Sequence, residues 1–258
     1  MRGAAVTESE YRYHRLQTAG LLGGMSWEST VTYYQLLNRG VQARLGGLHS
    51  APCIIHSVDF QEIADLQKRT DWDSSARVLA DAARGLEAAG ADFVMICTNT
   101  MHQVADEVAG AVNVPLLHIA DATGEAIRAA GHDKVGLLGT KFTMEMGFYR
   151  DRLRDRFGID AVVPGEARRG EINRVIFGEL CRGRVMPSSR EELMNDIAAL
   201  ARLGAQAVVL GCTELDLLVD DERSALPVID TTRVHAEAAL AMMFGEERGE
   251  YARKRAAS

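Results

Sequence analysis

The amino-acid sequence predicts an α/β fold built as two related halves, each a parallel sheet flanked by helices. Two observations predict it. A set of landmarks occurs twice in the same order and at nearly constant separation. Within each copy, short apolar runs alternate with amphipathic helical stretches, the pattern of βαβ units and a parallel sheet. Gly20-Leu21-Leu22-Gly23 returns as Gly136-Leu137-Leu138-Gly139, 116 residues later. Gly90-Ala91-Asp92-Phe93-Val94-Met95-Ile96 returns 114 residues on as Gly204-Ala205-Gln206-Ala207-Val208-Val209-Leu210. Val114-Pro115-Leu116-Leu117 returns as Leu226-Pro227-Val228-Ile229, 112 residues later. Three such matches in one register indicate an internal duplication.

Each copy is predicted to open on an apolar strand ending in glycine, Leu21–Gly24 in the first and Val135–Gly139 in the second. A long amphipathic helix comes later, Ser75–Ala89 and Arg190–Leu203, stopped by Gly90 and Gly204. A second apolar run of about six residues then ends in small polar residues. Two such halves would face each other about a pseudo-two-fold axis. Ligands of open α/β sheets sit beyond the carboxyl ends of the strands, so the reactive residues are sought just after each apolar run.

Composition narrows the function. The 258 residues are 47% hydrophobic and 25% charged, the profile of a soluble globular protein. A net charge of −7 without clustered Lys and Arg argues against nucleic acid as a partner. The four cysteines, Cys53, Cys97, Cys181 and Cys212, lie far apart and show no metal-ligand spacing. No apolar run reaches the roughly 18–20 residues of a membrane span. Met1–Ala19 has no apolar signal core and is expected to be a frayed or weakly helical extension. Cytoplasmic residence, reduced thiols and no metal are the expectations.

At the two strand ends the duplication superposes Thr98 of Cys97-Thr98-Asn99-Thr100 on Cys212 of Gly211-Cys212-Thr213-Glu214. A hydroxyl and a thiol at equivalent positions about a two-fold axis would approach a bound carbon from opposite faces. That arrangement suits removal of a proton from one face and its return to the other. Successive strand side chains point to opposite sides, so only one of Cys97 and Thr98 can face the cleft. The repeat selects Thr98 and leaves Cys97 packed beneath the sheet as a small apolar residue. Cys212 reads either as a buried small residue or as a thiol whose ionisation a helix N-terminus favours.

Asn99, Thr100 and Thr213 surround the same point with hydroxyls, an amide and backbone N–H groups that could hold a carboxylate, or simply cap helices. Gly23-Gly24-Met25-Ser26 could likewise cradle an anion, but Trp27-Glu28-Ser29-Thr30 follows where a phosphate loop has Gly-Lys-Ser/Thr, and no GxGxxG is present. Nucleotide binding is therefore disfavoured, and Ser26 is expected to be the N-cap of the helix carrying Tyr33, Tyr34 and Leu37. His102 and His235 are expected to be structural. Arg168 and Arg169 either solvate the surface or grip a side-chain carboxylate, and Arg44 is a similar candidate.

These motifs together resemble the aspartate/glutamate racemase superfamily, from about Gly20 to about Phe244. The matching segments are Gly20-Leu-Leu-Gly-Gly-Met-Ser-Trp-Glu-Ser-Thr, Cys97-Thr-Asn-Thr-Met-His102 and Gly211-Cys-Thr-Glu-Leu215. The first of these, with Arg44-Leu-Gly-Gly-Leu-His-Ser50, is closest to the branch acting on L-aspartate and L-glutamate. The resemblance implies two pseudo-symmetric Rossmann-like domains with the active site between them, no cofactor and no metal, and a homodimer. It implies a first half of residues 20–115 plus 226–258, the C-terminal segment returning to complete it, and a second half of 116–225. Cys212 and Thr98 carry over as the catalytic pair. Asn99, Thr100 and Thr213 carry over as carboxylate-holding residues, with Met25 and Glu214 beside the substrate.

Most members of the superfamily have a second cysteine where this chain has Thr98; the branch it most resembles shares the Thr/Cys pair. The family's basic residue for the side-chain carboxylate falls near Gly170, so Arg169 or Arg168 is expected to substitute. The expected activity is cofactor-independent racemisation of aspartate or glutamate, with two directions that differ in rate because a hydroxyl is a weaker base than a thiolate. A decarboxylase of malonate-type acids needs only one cysteine, and a non-catalytic amino-acid binder needs none; both are the alternatives.

Overall fold

The computed structural model describes residues 16–219 and 222–246. The first half runs β1 (Ala19–Gly23), α1 (Trp27–Leu45), β2 (Cys53–Ser57), α2 (Phe60–Lys68), α3 (Trp72–Ala88), β3 (Phe93–Ile96), α4 (Ala105–Gly110) and β4 (Leu116–Leu117). After α5 (Ile119–Ala129) come β5 (Lys134–Gly139), α6 (Lys141–Glu145), α7 (Gly147–Phe157), β6 (Asp160–Val162), α8 (Glu166–Gly178), α9 (Pro187–Arg202), β7 (Ala207–Gly211), β8 (Val228–Asp230) and α10 (Thr231–Met243). Each half holds a four-stranded sheet, ordered β2-β1-β3-β4 and β6-β5-β7-β8, and every pairing is parallel. The duplication read from the sequence is a duplication of topology.

Register repeats as well. Gly20 lies opposite Val94 in the first sheet, and Gly136 lies opposite Val208 in the second. The repeated glycine has a packing reason. A Cβ on Gly20 would stand 2.9 Å from that of Ala91, and one on Gly136 would stand 2.8 Å from Leu200 Cδ1. Both glycines let the segment ending a long helix close against the central strand. Those helices, α3 and α9, match the predicted stretches, and Gly90 and Gly204 stop them with φ of +98° and +87°.

The halves exchange their last helices. Helix α5 follows a strand of the first sheet, yet its Ile119, Ala120 and Ile127 pack in the core with Val135, Leu137 and Val209 of the second. Helix α10 follows a strand of the second sheet, and its Ala236, Ala239 and Leu240 pack against Ala19, Leu21, Tyr33 and Leu37. This reciprocal burial of apolar faces ties the two sheets together and sets the cleft between them. Among the described residues, the C-terminal segment returns to the first half through α10 and through Phe244 and Glu246 just after it. Residues 116–117 complete the first sheet and 228–230 the second, so the chain crosses between sheets just after each of those strands rather than at 115/116 and 225/226.

The extension expected over residues 1–19 also ends earlier. Ala19 is the first residue of β1, Gln17 N–H donates to Met243 O (2.9 Å), and Thr18 N–H donates to Asp92 Oδ2 (2.7 Å). Residues 1–15 lie outside the described part of the chain. Among the described residues no helix is long and apolar enough to cross a membrane.

Candidate active site

The carboxyl ends of β1, β3, β5 and β7 converge on one cleft. Thr98, Asn99 and Thr100 follow β3; Gly211 closes β7 and Cys212, Thr213 and Glu214 follow it; Met25 and Ser29 come from the β1 side and Thr140 from β5. A contiguous cavity shares Met25, Thr98, Thr100, Thr140, Cys212 and Glu214 and extends to Phe60, Gln67, Ile176, Phe177 and Cys181. The structure thus brings Thr98 and Cys212 together in one cavity from equivalent positions of the two halves. Cys97 is fully buried on the other side of the strand, in the core under α1 and α10. Burial pushes its thiol far above the ordinary value.

The Cys212 side is a network of donors converging on one carboxylate. Cys212 Sγ donates to Glu214 Oε2 at 3.0 Å, and Thr213 Oγ1 donates to the same oxygen at 2.7 Å. Ser26 Oγ donates to Glu214 Oε1 at 3.1 Å, and Ser29 Oγ lies 2.6 Å from Thr213 Oγ1. Ser26 is the N-cap of α1, accepting from Ser29 N–H, as expected. The cap thereby fixes the hydroxyl that reaches across from the first half to Glu214 in the second.

The expected thiolate is not what this environment favours. Cys212 is only 9% exposed and precedes a five-residue 3-10 turn, Thr213–Leu217, rather than an α-helix. Burial pushes its thiol well above the ordinary value, and the negative Glu214 beside it pushes further. The resting site therefore holds a protonated thiol whose proton already points at a carboxylate.

The Thr98 side is held by buried histidines. Ile119 N–H donates to His102 Nε2 at 3.1 Å, which puts the ring proton on Nδ1, where it donates to Thr98 O at 2.8 Å. His118 lies against it with tilted rings, centroids 4.5 Å apart, and caps α5 by accepting from Ala120 N–H. His235 spans Tyr33 Oη and Leu117 O, 2.9 Å from each. Burial drives His102 well below its ordinary value and His118 down to about 2. His102 and His235 are buried with both ring nitrogens engaged within the fold, and His102 fixes the backbone from which Thr98 projects.

Asn99 links the halves. Thr231 Oγ1 donates its one proton to Leu210 O at 2.7 Å, so it must accept from Asn99 Nδ2 at 3.0 Å. That orientation leaves Asn99 Oδ1, on a side chain 4% exposed at the cavity wall, without a partner. Thr100 Oγ1 lies 3.0 Å from Thr140 Oγ1, the N-cap of α6. Thr140 belongs to no motif of the sequence, although the repeat equates it with Gly24 of the glycine loop.

The arginines expected to grip a side chain lie elsewhere. Arg169 donates to Glu145 Oε1 and to Pro164 O, each at 2.9 Å, and does not line the cavity. Arg168 is bound to Asp196 through two nitrogens (3.0 and 2.7 Å) and to Glu192. Arg44 stacks on Phe244 and pairs with Glu246, at the end of α1 remote from the cleft. Each is an ion pair formed within the chain, which sequence spacing could not reveal.

The family model for Asp/Glu/hydantoin racemases matches residues 22–239. The chain belongs to that racemase family. Among solved structures, a provisionally assigned Asp/Glu racemase from Yersinia pestis is 49% identical with a TM-score of 0.84, over 88% of this chain and 99% of that one. An aspartate racemase homologue from Pyrococcus horikoshii OT3 is 33% identical with a TM-score of 0.77 over the same shares, 88% and 99%. Among curated relatives, the broad specificity amino-acid racemase RacX of Bacillus subtilis (strain 168) is 24% identical over 86% of this chain and 96% of its own length.

Proposed function

We propose that the protein inverts the α-carbon of an amino acid without a cofactor, by proton transfer between the Thr98 and Cys212 faces of one cavity. The observation that carries this reading is the placement of those two groups by equivalent strand ends on a single cavity. In one direction Glu214 takes the Cys212 proton, and the resulting thiolate removes the α-proton. Thr98 Oγ1 then donates to the opposite face and regains a proton from solvent as the product leaves, while Glu214 releases the one it took. The hydroxyl of Thr100 and the backbone N–H groups around Thr100 and Thr213 receive the α-carboxylate, whose charge grows as the carbanion forms.

The reverse direction needs Thr98 to remove the α-proton as the base, a role for which a hydroxyl is far weaker than a thiolate. Enantiomers are equally stable in solution, so kcat/KM must be equal in the two directions. The asymmetry of the site is therefore expressed in kcat and KM separately.

Aspartate and glutamate are the substrates suggested by the motifs and by the names of the 49% and 33% identical structures. The RacX name points to a wider range. The test of the reaction is α-proton exchange in D₂O, followed by NMR together with chiral analysis of the product. Exchange accompanied by the opposite enantiomer supports the reading. Release of carbon dioxide from malonate-type acids, without exchange in any amino acid, would replace it with decarboxylation.

A further inference from the structure

A second cavity, of about 640 Å³, opens between the halves and shares no lining residue with the active-site cleft. The 3-10 turn Thr100–Val104 and the start of α4 form its first-half side, α7 forms its second-half side, and His118 stands between them. His118 is only 4% exposed, and its Nδ1 accepts from Ala120 N–H, so the ring proton is on Nε2. Among the described residues nothing accepts that proton. Nε2 is not one of the occluded unpartnered atoms, so its proton is reachable, and this is the cavity that His118 lines.

Two arginines of α7 add donors to the same cavity. Arg152 gives Nε and Nη2 to the buried Asp121 carboxylate, and Arg156 gives it Nη1. Arg152 Nη1 and Arg156 Nε and Nη2 have no acceptor among the described residues. Two guanidiniums on one carboxylate leave a surplus of one positive charge, close enough to act on the His118 ring. Three carboxylates oppose it. Asp151 and Asp155 also line the cavity, but each pairs with Arg154 and is more than half exposed, where solvent and salt screen it. Asp106 is exposed as well and lies in the field of Arg152. Partly buried Met146 and Phe148 supply apolar surface.

We propose that this cavity binds a small monocarboxylic acid with an apolar body, its carboxylate accepting from His118 Nε2–H and from the unused N–H groups of Arg152 and Arg156. One carboxylate matches the surplus charge of the arginine pair. A dianion would exceed it and meet Asp106, Asp151 and Asp155 without compensation. The site uses neither Thr98 nor Cys212, so it stands or falls apart from the racemase reading.

The probe is phenylacetate, with phenylacetamide as its neutral isostere and phenyl phosphate as a dianion, each titrated into the full chain labelled with ¹⁵N-histidine. The readout is the His118 Nε2 shift in long-range ¹H–¹⁵N spectra, assigned by its loss in His118→Asn. The expected result is a saturable shift with phenylacetate, at an affinity roughly ten-fold above that of either comparison ligand. In Arg156→Gln, which leaves the two-nitrogen grip of Arg152 on Asp121 in place, phenylacetate should bind roughly ten-fold more weakly. No saturable shift of His118 Nε2 with phenylacetate, or an affinity unchanged in Arg156→Gln, overturns the proposal. Binding of phenylacetamide or phenyl phosphate as tight as that of phenylacetate overturns the assignment to a monocarboxylate.

Discussion

Cys212 Sγ points its proton at Glu214 Oε2, 3.0 Å away, and the same carboxylate keeps the thiol protonated by its charge. Glu214 thus has two opposed effects. It raises the energy of the thiolate, and it is the group that can accept the thiol proton. Replacing it by Gln separates them. In Glu214→Gln, turnover should fall by about 10²–10⁴ through loss of the proton acceptor. Alkylation of Cys212 by iodoacetamide, followed by peptide mass spectrometry, should become faster because the thiol pKa falls. Slower alkylation together with slower turnover would show that Glu214 acts only by keeping the loop folded.

Thr98 should accept a stronger proton-transfer group. Thr98→Cys is expected to retain or raise racemisation, with the two kcat values drawn closer together, because a thiol replaces a hydroxyl at the same strand end. Circular dichroism followed from each enantiomer measures both directions. A folded but inactive variant would remove Thr98 from the catalytic pair.

Arg169 should be dispensable for chemistry. Its guanidinium is paired with Glu145 and the Pro164 carbonyl outside the cavity. Arg169→Ala is expected to change kcat/KM by less than about two-fold for acidic and neutral amino acids alike, and to cost about 1 kcal/mol or less in stability, as partly exposed ion pairs do. Steady-state kinetics and urea unfolding give the two values.

The buried histidines should make the fold acid-sensitive. His102 and His118 are held neutral far below their ordinary pKa, whereas in the unfolded chain each titrates near 6.5. Below that value the unfolded state binds protons that the native state does not. Stability is therefore complete above about pH 6.5 and falls with decreasing pH, by up to about 1.4 kcal/mol per pH unit for each histidine. His118→Asn keeps a capping side chain on α5 and removes one titration, so the slope of unfolding free energy between pH 5 and 6.5 should drop by about one histidine's share. Urea unfolding across that range measures it.

Much of this was legible in the sequence because duplication makes one half a control for the other. The repeat gave the strand ends, matched Thr98 with Cys212 and sent Cys97 to the core, all from alternation along a strand. It marked Gly20 and Gly136 without explaining them; the explanation is contact with Ala91 and Leu200, distant in sequence. The exchange of α5 and α10 was only half visible, since which sheet a helix covers depends on packing between halves rather than on its own pattern. The side-chain grip was the least legible part. Arg168 and Arg169 stand out in the sequence only by their charge, and the partners that occupy them, Asp196, Glu192 and Glu145, lie 24 to 28 residues away. Phe60, Gln67, Phe177 and Cys181 reach the cavity from helices and turns that carry no motif.

The most direct test of the central claim is α-proton exchange in D₂O by wild-type enzyme and by Cys212→Ala, with both enantiomers of one amino acid that the wild type turns over. Two-sided transfer predicts that the wild type inverts each enantiomer and that Cys212→Ala inverts neither at a measurable rate while remaining folded. Full racemisation by Cys212→Ala would contradict the account.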